Sequence, residues 1–277
     1  MRRTGVGQTA PDYVCGHSDR ELERLEVQGA YFEEITRRFL KAAGLRAGMR
    51  VLDIGCGVGD VSFLAAALVG PRGWVIGVDR SAGAIATARA RAVARGAGQV
   101  AFRVGEIERV RCGQVDALVG RFVLMHQADP ARTLRAAARH VRKGGVVALL
   151  ESHLVGSVRA VHSHPHAPVY HRVLKWMVKV IRSAGAHPDM GLRLRQVFLD
   201  AGLPAPRLWV QARVDGGREA TVYRYIAESA RSMAPLARRL GVTGLARRSL
   251  DTLEERLRKE VERSGGVITS PLVVGAW

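Results

Sequence analysis

Residues 51–60, Val-Leu-Asp-Ile-Gly-Cys-Gly-Val-Gly-Asp, concentrate the chemistry of this chain. Four residues suited to a buried strand run into three alternating glycines, Gly55, Gly57 and Gly59, and the apolar run VSFLAAALV follows as a helix. Such a strand–turn–helix corner lets a small ligand lie against bare backbone at the carboxyl end of a strand. The acids select the ligand. A dinucleotide fingerprint places its third glycine at position 60, where this chain has Asp60, and Asp53 adds a second carboxylate to the turn. Beside a pyrophosphate these charges repel; beside a sulfonium or an α-amino group they attract. Two histidines, His126 and His153, follow later strands and are candidates for a base with a near-neutral pKa. The alternating trio His162, His164 and His166 has no accompanying Cys or carboxylate cluster, so no metal is expected.

The elements that must position these groups follow from periodicity. Ser18 and Glu21 have capping-box spacing, and Leu22, Leu25, Phe32, Ile35, Phe39 and Leu40 recur at helical intervals, predicting a helical region that ends near Gly44. Strands are then expected at 51–55, 74–78, 100–104, 115–120 and 146–151. Helices are expected at 60–69, 82–95 and 130–142, with Lys143-Gly-Gly145 as the turn into the last strand. That alternation calls for an α/β fold with a parallel sheet covered on both faces. Beyond Glu151 the pattern changes to helices near 169–184, 191–201, 219–231 and 246–263, a strand at 207–214, and a final apolar run. Three regions are expected: a helical cover (1–44), a ligand-binding core (45–151), and a lid that also supplies the last sheet strands (152–277).

With these motifs in order, residues 48–151 resemble the class I S-adenosylmethionine (SAM)-dependent methyltransferases. Gly48 to Gly59 resembles the family's first motif; Gly77-Val-Asp-Arg-Ser81 resembles the second, with Asp79 placed 24 residues after Gly55. Gly105-Glu-Ile107 is similar to the segment bordering the adenine, with Glu106 where Asp is more usual. Asp116 to His126 and Leu134…Arg142-Lys-Gly-Gly-Val146 resemble the later motifs. The resemblance implies a Rossmann-like seven-stranded methyltransferase sheet, SAM as cofactor and S-adenosylhomocysteine as product. It implies cofactor contacts from Asp53, Gly55, Cys56, Gly57, Gly59, Arg80, Glu106 and Ile107. Asp79 would accept the ribose hydroxyls, Arg121 would meet the methionine moiety through its backbone, and Gln28 and Tyr31 would fold over the cofactor. The second half is closer to small-molecule enzymes that tailor natural products, methylating oxygen, nitrogen or carbon, than to nucleic-acid modifiers. The alternatives are an RNA or protein methyltransferase, and a non-methylating SAM-binding scaffold or cyclase.

Composition bounds the rest. The 277 residues are 47% hydrophobic, with no apolar run near the roughly 18 residues of a membrane span. The opening MRRTGVGQTA has no apolar h-region, and three cysteines without CxxC spacing read as reduced thiols, so a cytoplasmic protein is expected. The net charge of +18 comes mainly from arginines dispersed at helical spacing, and aromatic content is 5%. That pattern fits solvated helix faces better than a nucleic-acid footprint, and the excess charge favours anionic surfaces. An exposed N-terminal helix is a candidate for exchange between subunits in a homo-oligomer.

Overall fold

The structure, a computed structural model, describes residues 19–155 and 162–277. The Ser18 half of the expected capping box lies outside them. The N-terminal cover is two helices, α1 (Asp19–Tyr31) and α2 (Glu33–Ala42), broken at Phe32, whose side chain is buried at the bend.

Five strands and three helices then alternate: β1 (Arg50–Ile54), α3 (Asp60–Val69), β2 (Trp74–Asp79), α4 (Ala82–Ala94), β3 (Val100–Val104), β4 (Val115–Arg121), α5 (Pro130–Ala138) and β5 (Val141–His153). Val51, Leu52 and Ile54 of β1 are all inaccessible to solvent, as a strand covered on both faces requires. The chain continues through β6 (Ser163–His164), α6 (Pro168–Ser183), α7 (Met190–Asp200), β7 (Leu208–Gln211) and β8 (Val214–Gly216). It ends with α8 (Val222–Arg239), α9 (Arg247–Asp251), α10 (Leu253–Ser264), β9 (Val267–Thr269) and β10 (Leu272–Ala276).

The main sheet has seven strands in the order β3-β2-β1-β4-β5-β10-β7, parallel except for β10. The C-terminal region therefore supplies the last two strands, β10 and the edge strand β7, to a sheet begun by the core. Among the described residues no helix is long and apolar enough to cross a membrane.

Two expectations need correction. Lys143-Gly-Gly145 is no turn between elements but a bulge inside β5: Val115 pairs with Val141 and Ala117 with Val146. Helix α5 consequently stops at Ala138. The strand expected at 207–214 is two strands in different sheets. At Arg213 the chain leaves the main sheet, and β8 pairs with β9 in a three-stranded sheet with β6. Ser270 marks the crossing: its amide donates to the Arg213 carbonyl (2.8 Å) and its hydroxyl accepts from the Arg213 amide (3.0 Å).

Candidate functional site

The glycine turn at the end of β1 opens into a cavity of about 450 Å³, with α1 across its mouth. Gly55 has φ +61°, and a Cβ there would sit 2.6 Å from Val123 Cγ2, so side chains are excluded twice over. Asp79, at the end of β2, lines the same cavity. Its carboxylate is held in place by backbone donors, the Gly57 amide at 2.9 Å and the Ser81 amide at 2.8 Å. Ser81 in turn caps α4 by accepting from the Ala84 amide. An oriented acceptor group thus faces a patch of side-chain-free backbone.

The cavity brings together Gln28, Gly55, Gly57, Asp79, Arg80, Glu106, Ile107, Arg121 and His126. Ile107 offers an apolar surface at the end of β3, and Glu106 pairs with Arg109 (3.1 Å) at an exposed rim. Arg121 donates to Thr36 Oγ1 at 2.9 Å, and burial lowers its pKa. Five other expected residues do not line the cavity. Asp53 lies beneath the turn, 1% exposed, accepting from Ser62 Oγ at 2.6 Å; burial pushes its carboxyl up to about 7. Cys56 is buried against Gly77, and burial pushes its thiol up. Gly59 faces Phe63 and Phe102. Tyr31 turns away because α1 ends there: its hydroxyl donates to Asp215 (2.7 Å), and its ring stacks on Tyr225 at 4.8 Å. His153 projects opposite to Ser152 on β5 and places Nδ1 3.3 Å from the Asp189 carbonyl. Asp60 is likewise engaged elsewhere, with Arg91 at 2.8 Å. The carboxylate that faces the glycine turn across the cavity is therefore Asp79, not either acid of the turn itself.

His126 departs from the near-neutral base expected of it. Burial, together with the charges of Arg24 and Arg80, pulls its pKa down to about 3, so the ring is neutral at physiological pH. It is carried by the loop after β4, where Phe122 adopts φ +57°, the one positive φ at a non-glycine among the described residues. Such a residue costs about 1–2 kcal/mol and persists where its surroundings enforce it. The enforcing group is Glu151, fully buried on β5, whose Oε1 accepts from the amides of Val123 (2.9 Å) and Leu124 (2.7 Å). Burial pushes the Glu151 carboxyl up to about 7 against those bonds.

Residues absent from the sequence-based set complete the walls. Arg24 of α1 faces the cavity, held by two 2.7 Å bonds to Glu21, which also accepts from Ser232 of α8 at 2.6 Å. Met177, Ile181, Tyr225, Ser229 and Met233 line it from α6 and α8. The histidine trio lies elsewhere: His162 bonds Thr269 Oγ1 at 2.6 Å, and His164 pairs with Val267 in the small sheet.

Residues 45–183 match a family model described as a methyltransferase domain. The chain belongs to that family, the SAM-dependent methyltransferases. It is 41% identical over 76 residues to nocamycin O-methyltransferase of Saccharothrix syringae, 27% of each chain. It is 36% identical over 119 residues to the ubiquinone/menaquinone biosynthesis C-methyltransferase UbiE of Cellvibrio japonicus, covering 42% of this chain and 48% of that one. The chain thus spans less than half the length of each of these curated relatives. The YcgJ protein of Bacillus subtilis shares the fold, with TM-score 0.56, 15% identity, 88% of this chain covered and 98% of that one. The donor set fits the family's cofactor. Asp79 is an acceptor-only group suited to two vicinal hydroxyls, Ile107 offers a flat apolar flank, and the glycine turn leaves room for close approach.

Proposed function

We propose that this protein transfers the methyl group of SAM to a small-molecule acceptor, on oxygen, nitrogen or carbon. The observation that supports this most is Asp79. Both its oxygens are anchored by backbone amides, at the mouth of a glycine turn, in a cavity whose far wall is built by lid helices. When bound, the cofactor supplies an electrophilic methyl group on a sulfonium centre.

The chain's own residues hold, align and dry the site. Asp79 would accept the ribose hydroxyls, Ile107 and Glu106 would flank the adenine, and the Gly55–Gly57 backbone and Arg121 would bound the methionine moiety. Gln28 and Arg24 on α1 close the mouth. Alignment and water exclusion are the principal contributions a protein makes to an in-line displacement at carbon. His126, held neutral, accepts a hydrogen bond from an acceptor hydroxyl. With its pKa pulled down to about 3 it is too weak a base to keep the proton, and it serves to orient the hydroxyl; the proton is released along with S-adenosylhomocysteine and the methylated acceptor when the site opens. Glu151 positions the loop that carries His126.

Incubation of the purified protein with methyl-labelled SAM and a panel of small metabolites tests the proposal. Label in the small-molecule fraction with matching release of S-adenosylhomocysteine is expected. Label in tRNA or protein instead supports an RNA or protein methyltransferase. SAM binding without any release points to a scaffold or cyclase.

A further inference from the structure

The lid side of the cavity contains a polar atom that the fold does not use. Ser229, on α8, is 2% exposed, and its hydroxyl has no hydrogen-bond partner among the described residues, yet the residue lines the cavity. Buried hydroxyls are ordinarily bonded, and an orphan costs stability. Inside a helix the usual escape is to the carbonyl four residues back. Thr36 takes it, donating to the Phe32 carbonyl at 2.7 Å; Ser229 does not.

Around Ser229 the wall is apolar and adaptable. Leu154, Met177, Ile181 and Met233 form it, and Ser152 and Tyr225 are its other hydroxyl-bearing residues. Methionine side chains mould themselves to irregular apolar shapes. From Ser152 onward no lining residue is charged, in a chain of which 25% is charged. An ammonium entering here would lose its hydration with no carboxylate on this wall to replace it. A carboxylate fares no better, because this wall has no cation to pair with it either.

We infer that the lid side of the cavity takes an uncharged, largely apolar acceptor bearing an oxygen function, and that Ser229 is the group that recognises this oxygen by hydrogen bonding. The inference rests on the function proposed above, since it assigns the second substrate of the same site.

The test titrates protein saturated with S-adenosylhomocysteine with three probes of one shape: 2-naphthol, 2-naphthoate and 2-naphthylmethylammonium. 2-Naphthol is expected to bind at least about tenfold more tightly than either ion. Ser229→Ala should weaken 2-naphthol about fivefold while S-adenosylhomocysteine affinity stays within about twofold. The same variant, without any acceptor, should melt about 2 °C higher, because an unbonded hydroxyl has been removed. An ion binding as well as 2-naphthol, no probe binding at about 1 mM, or an unchanged 2-naphthol affinity in Ser229→Ala overturns the inference. A lower melting temperature in the variant overturns it too, by showing that the hydroxyl serves the fold. Failure of S-adenosylhomocysteine itself to bind is a different result and refutes the proposed function instead.

Discussion

The two walls of the cavity are made of different material. On the core side, strand ends present backbone and fixed charge, and every charged lining residue lies between Glu21 and Arg132. On the lid side, helices present methionine, isoleucine and serine, with their polarity reduced to hydroxyls. A rigid cofactor of constant chemistry can be read by backbone geometry, which spacing in the chain encodes. An acceptor is read by the shape between packed side chains, which spacing does not encode.

Four substitutions sharpen or break this contrast. Asp79→Ala removes the core wall's anchored carboxylate and should weaken S-adenosylhomocysteine about a thousand-fold by calorimetry. An unchanged dissociation constant would sink the ribose assignment. Glu151→Ala strips the bonds from two buried amides and should cost about 3 kcal/mol in urea denaturation, with the loop bearing His126 loosened. A loss no larger than that of an exposed residue would mean the loop holds itself.

Asp53 supplies a pH signature. Its carboxyl rises from an ordinary 3.8 to about 7, so the folded chain holds that proton more tightly than the unfolded one. The wild type therefore loses stability as pH climbs through that window, and Asp53→Asn escapes the loss. The variant's stability relative to wild type should grow between about pH 4.5 and about pH 7.5, measured by urea titration at each pH. A gap that is flat or shrinks with pH contradicts burial as the cause. Smallest is Met177→Ala on the lid wall, expected to leave S-adenosylhomocysteine affinity unchanged while shifting acceptor KM about fivefold. Equal damage to both ligands would erase the distinction between the walls.

The core was legible because its strands are buried on both faces: runs such as VLDI and WVIGV cannot be satisfied at a surface, and the resemblance of Gly77–Ser81 to the family's second motif singles out Asp79. Other residues lack such a signal. Glu151 reads as the polar end of an apolar strand until the loop at 122–126 folds over it. Glu21 reads as the capping-box partner of Ser18 and Arg24 as one of the solvated helix arginines, whereas α8 buries both. Asp53 and Tyr31 have the right neighbours but the wrong direction, one beneath the turn and the other past the end of its helix. The continuous pattern RLWVQARV cannot announce that the strand changes sheets midway.

The crossing at Arg213 and Ser270 has an evolutionary corollary. Everything between those two points, α8 included, departs from and returns to a single clasp on the sheet's margin. A segment whose ends already meet can be exchanged for another without disturbing the register of the strands beneath. Natural selection can thus refashion the α8 side of the chamber that chooses the acceptor and leave the cofactor's cradle untouched.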